Sequence, residues 1–231
     1  MPYTRTFVCL ANSRKRPSGR CIAGREALPD GFGTWIRPVS DRASREVSEE
    51  ERRYSDGQDV ALLDLVNVRL LRAEPELHQR ENHLIDADYH WERVGRATWE
   101  DVQGATEDPT GPLWINGESS SHGQNDRVPV SMLDGLPGSL YLIRPGNLRI
   151  EVGSEGGFGP SRRRVRAHFA VCGHPYRLAV TDPQIERAYL AGPDRAVHVP
   201  DALLCVSLGE VFHGFAYKLV ASVIAPVGLS R

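Results

Sequence analysis

The chain has 231 residues, 40% of them hydrophobic and 25% charged, with a formal net charge of −2. That length builds one large domain or two small ones, and it buries an ordinary core without disulfides or metals. The near-neutral balance excludes a global polycation, so a nucleic-acid role must rest on local patches.

Of the 28 basic residues only Lys15 and Lys218 are lysines. A GC-rich coding sequence accounts for such a bias, but arginine also stacks on bases and forks onto phosphates as lysine cannot. Cys9, Cys21, Cys172 and Cys205 are widely spaced, with no Cys-x-x-Cys pair, which argues against structural zinc. No signal peptide, bilayer-length apolar run or lipidation motif is visible, so a cytoplasmic protein with no membrane partner is expected. No motif calls for a cofactor or a metal.

In chain order, Thr4 to Leu10 reads as a first strand, and Asn12 to Gly19 as a polar loop carrying Arg14, Lys15 and Arg16. Cys21 to Ala23 and Trp35 to Val39 are the next strands. Ser48 with Glu51 forms a capping-box pattern that predicts a short helix through Tyr54. Leu62 to Leu71 alternates as a long strand. No fifth strand is obvious in this half. Residues 74–135 hold Trp91, Trp99 and Trp114 amid Pro, Gly, Asn and Ser punctuation, with a capped helix predicted over Thr98 to Val102. A structureless loop of this length is improbable in a compact domain, so the stretch is expected to elaborate or complete the first half. The boundary is placed at Leu136 to Ser139, giving domains 1–135 and 136–231.

The second half is more regular. One strand is expected from Ser139 to Val152, broken at Pro145-Gly146, then a Gly- and Ser-rich loop from Gly153 to Arg163. Val165, Ala167, Phe169 and Val171 alternate with polar residues, as do Tyr176, Leu178 and Val180, so each run has one buried face. Asp182 and Pro183 are favoured at an N-cap and a first helical position. Leu203 to Leu208 and Tyr217 to Ala225 supply two more strands. Three strands, helix, two strands is the order of a five-stranded OB barrel. The fold class expected is mainly β with short helices: two OB-like barrels, the first carrying a long irregular insertion.

Three groups of residues are candidate sites. The first is Arg162, Arg163, Arg164, Arg166, His168 and Arg177. By strand parity Arg164, Arg166, His168 and Arg177 point outward together, on the strands that form the ligand face of OB proteins. Such a row can track a phosphate backbone and stack on bases; it equally fits a solvated sheet face paired with Glu151. The second is Arg14, Lys15, Arg16 and Arg20 on the first hairpin loop, with Arg25, Trp35 and Arg37. Trp35 beside Arg37 fits a base platform, though a strand Trp is more often core. Phe212, between the last two strands, fits base stacking or a plug for the barrel end.

The third group is His78, Glu81 and Asn82 with Trp114, Asn116, Asn125 and Asp126. Histidine, carboxylate and amide together fit metal-dependent hydrolysis or nucleotide sensing; the same residue types also serve to hold irregular backbone. No hydrolase or phosphate-loop motif accompanies them.

Several segments resemble a family of bacterial proteins described as a dual OB-containing domain. They are Thr6 to Ser13 with Gly19 to Cys21, Trp35 to Ser40, His78 to Asn82, Leu113-Trp114 through Asn125 to Val128, Thr181 to Pro183, and Ser207 to Glu210 with Tyr217 to Val220. The resemblance spans nearly the whole chain. It implies two OB-like barrels and suggests a role in binding nucleic acid within prokaryotic defence systems; it carries over no catalytic residues. The leading expectation is a non-enzymatic protein that binds single-stranded DNA or RNA. The alternatives are the metal-dependent hydrolase or nucleotide sensor and an adaptor that binds a protein partner.

Overall fold

The computed structural model describes residues 1–15, 19–156 and 161–226. It divides into two compact units, Met1–Ala105 and Thr106–Arg231. The division falls earlier than the expected Leu136–Ser139 boundary because Leu113, Trp114, Val128 and Leu133 are buried in the core of the second unit.

The first unit contains β1 (Tyr3–Arg14), β2 (Arg20–Leu28), β3 (Gly31–Val39), α1 (Glu49–Arg52), β4 (Asp64–Ala73), β5 (Asn82–Ile85), β6 (Glu92–Arg96) and α2 (Trp99–Gln103). The strand pairings run β1-β2-β3-β5-β4 and return from β4 to β1, with β6 added on β4. β3 and β5 are parallel and the others antiparallel. This is OB connectivity, and its fifth strand is β5, inside the segment expected to elaborate this half. Four residues are too few for alternation to announce a strand, which is why β5 escapes a sequence reading. The hairpin loop is shorter than expected, since β1 continues through Arg14.

Both predicted caps form. Ser48 accepts from Glu51 N while Glu51 accepts from Ser48 N, and Thr98 and Asp101 repeat the exchange. The core gathers Phe7, Cys9, Ile22, Ile36, Val66, Val68, Leu70 and Ile85. Trp91 joins it edge-on to Phe7, with ring centroids 6.2 Å apart. Each of the buried Phe, Val, Leu and Ile side chains contributes roughly 1.5–3 kcal/mol.

The second unit contains β7 (Arg127–Pro129), a 3-10 turn (Val130–Met132), β8 (Leu140–Ile143), β9 (Gly146–Glu155), β10 (Arg162–Val171), β11 (His174–Val180), α3 (Pro183–Leu190), β12 (Arg195–His198), β13 (Leu203–Phe212) and β14 (Phe215–Ile224). The strand order is β12-β9-β10-β11-β14-β13-β8. The single strand expected over Ser139 to Val152 is β8 plus β9, broken where predicted. β8 pairs with β13 and β9 with β10, so one bent strand serves two neighbours. Beyond the bend, β9 and β10 stay paired as far as Glu155 and Arg162, well into the expected loop.

β11 and β14 run parallel, as the OB order requires. The Asp182 carboxylate accepts from Gln184 N and Ile185 N at the start of α3. Its second oxygen accepts from Val223 N on β14, which ties the helix to the sheet. No helix among the described residues is long and apolar enough to cross a membrane.

Candidate nucleic-acid interface

Alternation in β10 buries Val165, Ala167, Phe169 and Val171 and leaves Arg164, Arg166 and His168 on the other face. On β11 the same parity buries Tyr176, Leu178 and Val180 and turns Arg177 outward. Register then sets the rows. His168 lies opposite Arg177 on one side and Arg149 of β9 on the other. Arg166 lies opposite Glu151, Arg164 opposite Gly153, and Arg162 opposite Glu155.

Carboxylates neutralise part of this row. Arg166 donates to both oxygens of Glu155 at 2.6 and 3.0 Å, and its side chain is only 11% exposed. Burial pushes the Glu155 carboxyl up, but the hydrogen bonds and charge of Arg166 outweigh it and hold the group below the usual carboxylate range. Glu151 faces His168 Nε2 at 2.9 Å, Arg149 at 3.3 Å and Arg177 at 3.6 Å. The imidazole of His168 is pulled below its ordinary pKa by burial, opposed by Glu151 and reinforced by Arg149 and Arg177. His168 Nε2 is also 3.2 Å from Arg177 Nε. That nitrogen donates to Glu151 when it carries a proton and accepts from Arg177 when it does not.

Arg162 and Arg164 differ from Arg166. Arg162 is exposed and Arg164 half-buried, and neither side chain has an ion-pair or hydrogen-bond partner among the described residues. Arg163 has another role. It sits at the opposite parity, donates to Leu190 O at 2.8 Å and Gly192 O at 2.6 Å, and pairs with Asp194 at 2.8 Å. It closes the C-terminus of α3, where unpaired carbonyls attract a cation. The basic run thus separates by strand parity into an outward face and a helix clamp.

Phe212 is 62% exposed. It precedes the two-residue turn His213-Gly214, whose φ values of 48° and 80° match a type I′ hairpin. The rings of Phe212 and His213 meet edge-on at 4.0 Å. Phe212 therefore stands exposed at the tip of the β13–β14 hairpin and does not plug the core.

In the first unit Arg14 is exposed, Lys15 and Arg20 are half-buried, and Arg14 lies opposite Arg20 at the hairpin base. Arg16 lies outside the described residues. Trp35 is half-buried and stacks with Arg25, whose guanidinium is 5.8 Å from the ring centroid. Arg37 does not join a surface platform. It is 2% exposed and pairs with buried Glu81 at 3.2 Å, and its backbone N–H donates to Glu81 O. The parallel β3–β5 pairing creates this contact by setting Arg37 opposite Asn82. Asn82 in turn donates to Gln79 at 3.3 Å. His78 is buried beside them in sequence, at 1% exposure.

The other polar candidates belong to the second unit. Trp114 donates its indole N–H to Gly138 O at 2.8 Å and packs edge-on against Tyr141. Asn125 donates to Pro175 O. Asp126 accepts from Ser120 N and Oγ at 2.7 and 2.6 Å. Gln124 exchanges two backbone hydrogen bonds with Arg177, covering part of the β11 edge. Asn116 leads to a residue that sequence reasoning passed over, Lys218. The Lys218 ammonium donates to Ile115 O at 2.8 Å and Asn116 Oδ1 at 2.7 Å, while Asn116 Nδ2 and Leu113 N donate to the Tyr176 hydroxyl. Burial pushes the Lys218 pKa down to about 7, against a smaller upward pull from Asp126. The missed signal was parity, because Lys218 lies between Ala216 and Val220 on an inward-facing register. Among the described residues no three His, Cys, Asp or Glu side chains are grouped to hold a metal ion.

Comparison with known proteins adds one finding. No curated protein and no solved structure matches the chain. A family model described as a dual OB-containing domain matches residues 5–223, which include the five-stranded connectivity of both units and the whole basic face. The chain therefore belongs to the dual OB-containing domain family.

Proposed function

We propose that this protein binds single-stranded nucleic acid on the outer face of β9, β10 and β11, with Phe212 at the flanking hairpin stacking on a base. The observation that carries the reading is the pair Arg162 and Arg164. They stand on the second strand of an OB-ordered sheet, outward by parity, and no carboxylate among the described residues neutralises them. The strand 2–3 face and the loops beside it are where OB folds commonly hold oligonucleotides. Arginine there supplies phosphate contacts and an exposed aromatic supplies sequence-tolerant stacking.

The test is fluorescence anisotropy of a labelled strand of about 15 nucleotides, a length suited to one or two OB folds. Single-stranded DNA, single-stranded RNA and duplex are titrated with wild type and with the Arg162→Glu/Arg164→Glu double variant. Preference for single strands, and at least a tenfold loss in the variant at about 100 mM salt, is the expected result. Unchanged affinity in a folded variant removes this face from the reading.

A protein-binding role has one observation in its favour. Val130, Met132, Val211 and Phe212 are all exposed apolar residues, and Val130 N donates to Gly214 O at the same hairpin. An adaptor using that patch predicts no nucleic-acid affinity in the same titration.

A further inference from the structure

Arg149, His168 and Arg177 lie in one row across three strands, and a single carboxylate, Glu151, reaches all three. Arg166, the direct cross-strand neighbour of Glu151, is engaged by Glu155 instead. Glu151 thus occupies the two arginines, and the imidazole between them, that an incoming anion would need. A carboxylate has two acceptor oxygens and one charge; a backbone phosphate also carries one charge, on oxygens that accept from arginine forks. Glu151 is 31% exposed, so solvent reaches it and its ion pairs are screened and weak.

Resting on the nucleic-acid reading above, we infer that Glu151 fills a phosphate subsite on this face, and that a strand binds there by displacing the carboxylate from Arg149, His168 and Arg177. Glu151 is then a specificity residue. It sets how much phosphate charge is needed to open the site, and it limits the grip of lone anions on the exposed face. Arg162 and Arg164 make the first contact because they have no carboxylate to shed, and the row around Glu151 engages second.

The experiment compares wild type, Glu151→Gln and a charge-matched control, Glu50→Gln, on the exposed surface of α1. Each is titrated with the single strand of about 15 nucleotides between about 50 and 200 mM salt. Glu151→Gln is expected to bind several-fold more tightly than both others, with a logarithmic salt slope steeper by about one. A second readout needs no oligonucleotide. With the carboxylate gone, the His168 imidazole should titrate at lower pH by nuclear magnetic resonance, because Glu151 is the group that pulls it upward. If wild type binds and Glu151→Gln binds no more tightly than the control, the displaced-carboxylate subsite is wrong and the nucleic-acid reading stands. If no variant binds any strand, the nucleic-acid reading itself fails and the subsite falls with it.

Discussion

Lys218 shows how much one side chain can ask of a core. Its ammonium lies in the interior of the second unit between Ile115, Asn116 and Tyr176, at 1% exposure. Folded, it loses its proton near pH 7; unfolded, it keeps the proton until the ordinary lysine value of 10.5. Across that window the unfolded chain binds more protons, so stability should rise with pH, by a few kcal/mol in all. Lys218→Met should abolish that rise relative to wild type, as read by chemical denaturation at pH 7 and pH 9.5. A wild-type profile parallel to that of the variant would contradict this account of the buried amine. The residue scale was partly legible. Alternation alone turned Arg164, Arg166, His168 and Arg177 outward. It was silent on Glu155, which reaches Arg166 from seven positions before the start of β10, because register across a hairpin decides that contact. It was equally silent on Arg37 and Glu81, which meet only through the parallel pairing of β3 and β5. Removing one partner of such a buried pair typically costs about 3–5 kcal/mol, which marks Arg37 as part of the frame.

At the scale of elements, capping chemistry was the most readable signal, because it is local. Ser48-Glu51, Thr98-Asp101 and Asp182-Pro183 each begin a helix. The ends of elements were less readable. Nothing local says that α3 is closed by Arg163, a residue from a preceding strand. Arg163→Ala should therefore lower stability by about 1–2 kcal/mol, the scale of hydrogen bonds involving a charged group discounted for partial exposure. It should leave oligonucleotide affinity close to wild type, unlike substitutions at Arg162 and Arg164. Thermal denaturation beside anisotropy separates the two effects; a large affinity loss at unchanged stability would move Arg163 from clamp to interface. β5 and β12 were hidden for another reason. Each has four residues, and tertiary pairing, not propensity, makes them strands.

For the whole molecule, a net charge of −2 hid a division of labour within one sheet. The outward face of β9–β11 mixes engaged and unengaged arginines, and only their placement on the sheet tells them apart. The OB order of elements was legible in both halves, since the second spells it out and the first repeats the helix and four of its five strands. The unit boundary was not, because residues 106–135 look irregular yet contribute Leu113, Trp114, Val128 and Leu133 to the second core. The most direct measurement of the central claim is a hydrogen-exchange footprint of the full chain with and without a bound single strand of about 15 nucleotides. Slowed exchange should concentrate on β10, β11 and the Phe212–Phe215 hairpin. Protection confined to the first unit, or none anywhere under saturating strand, would contradict it.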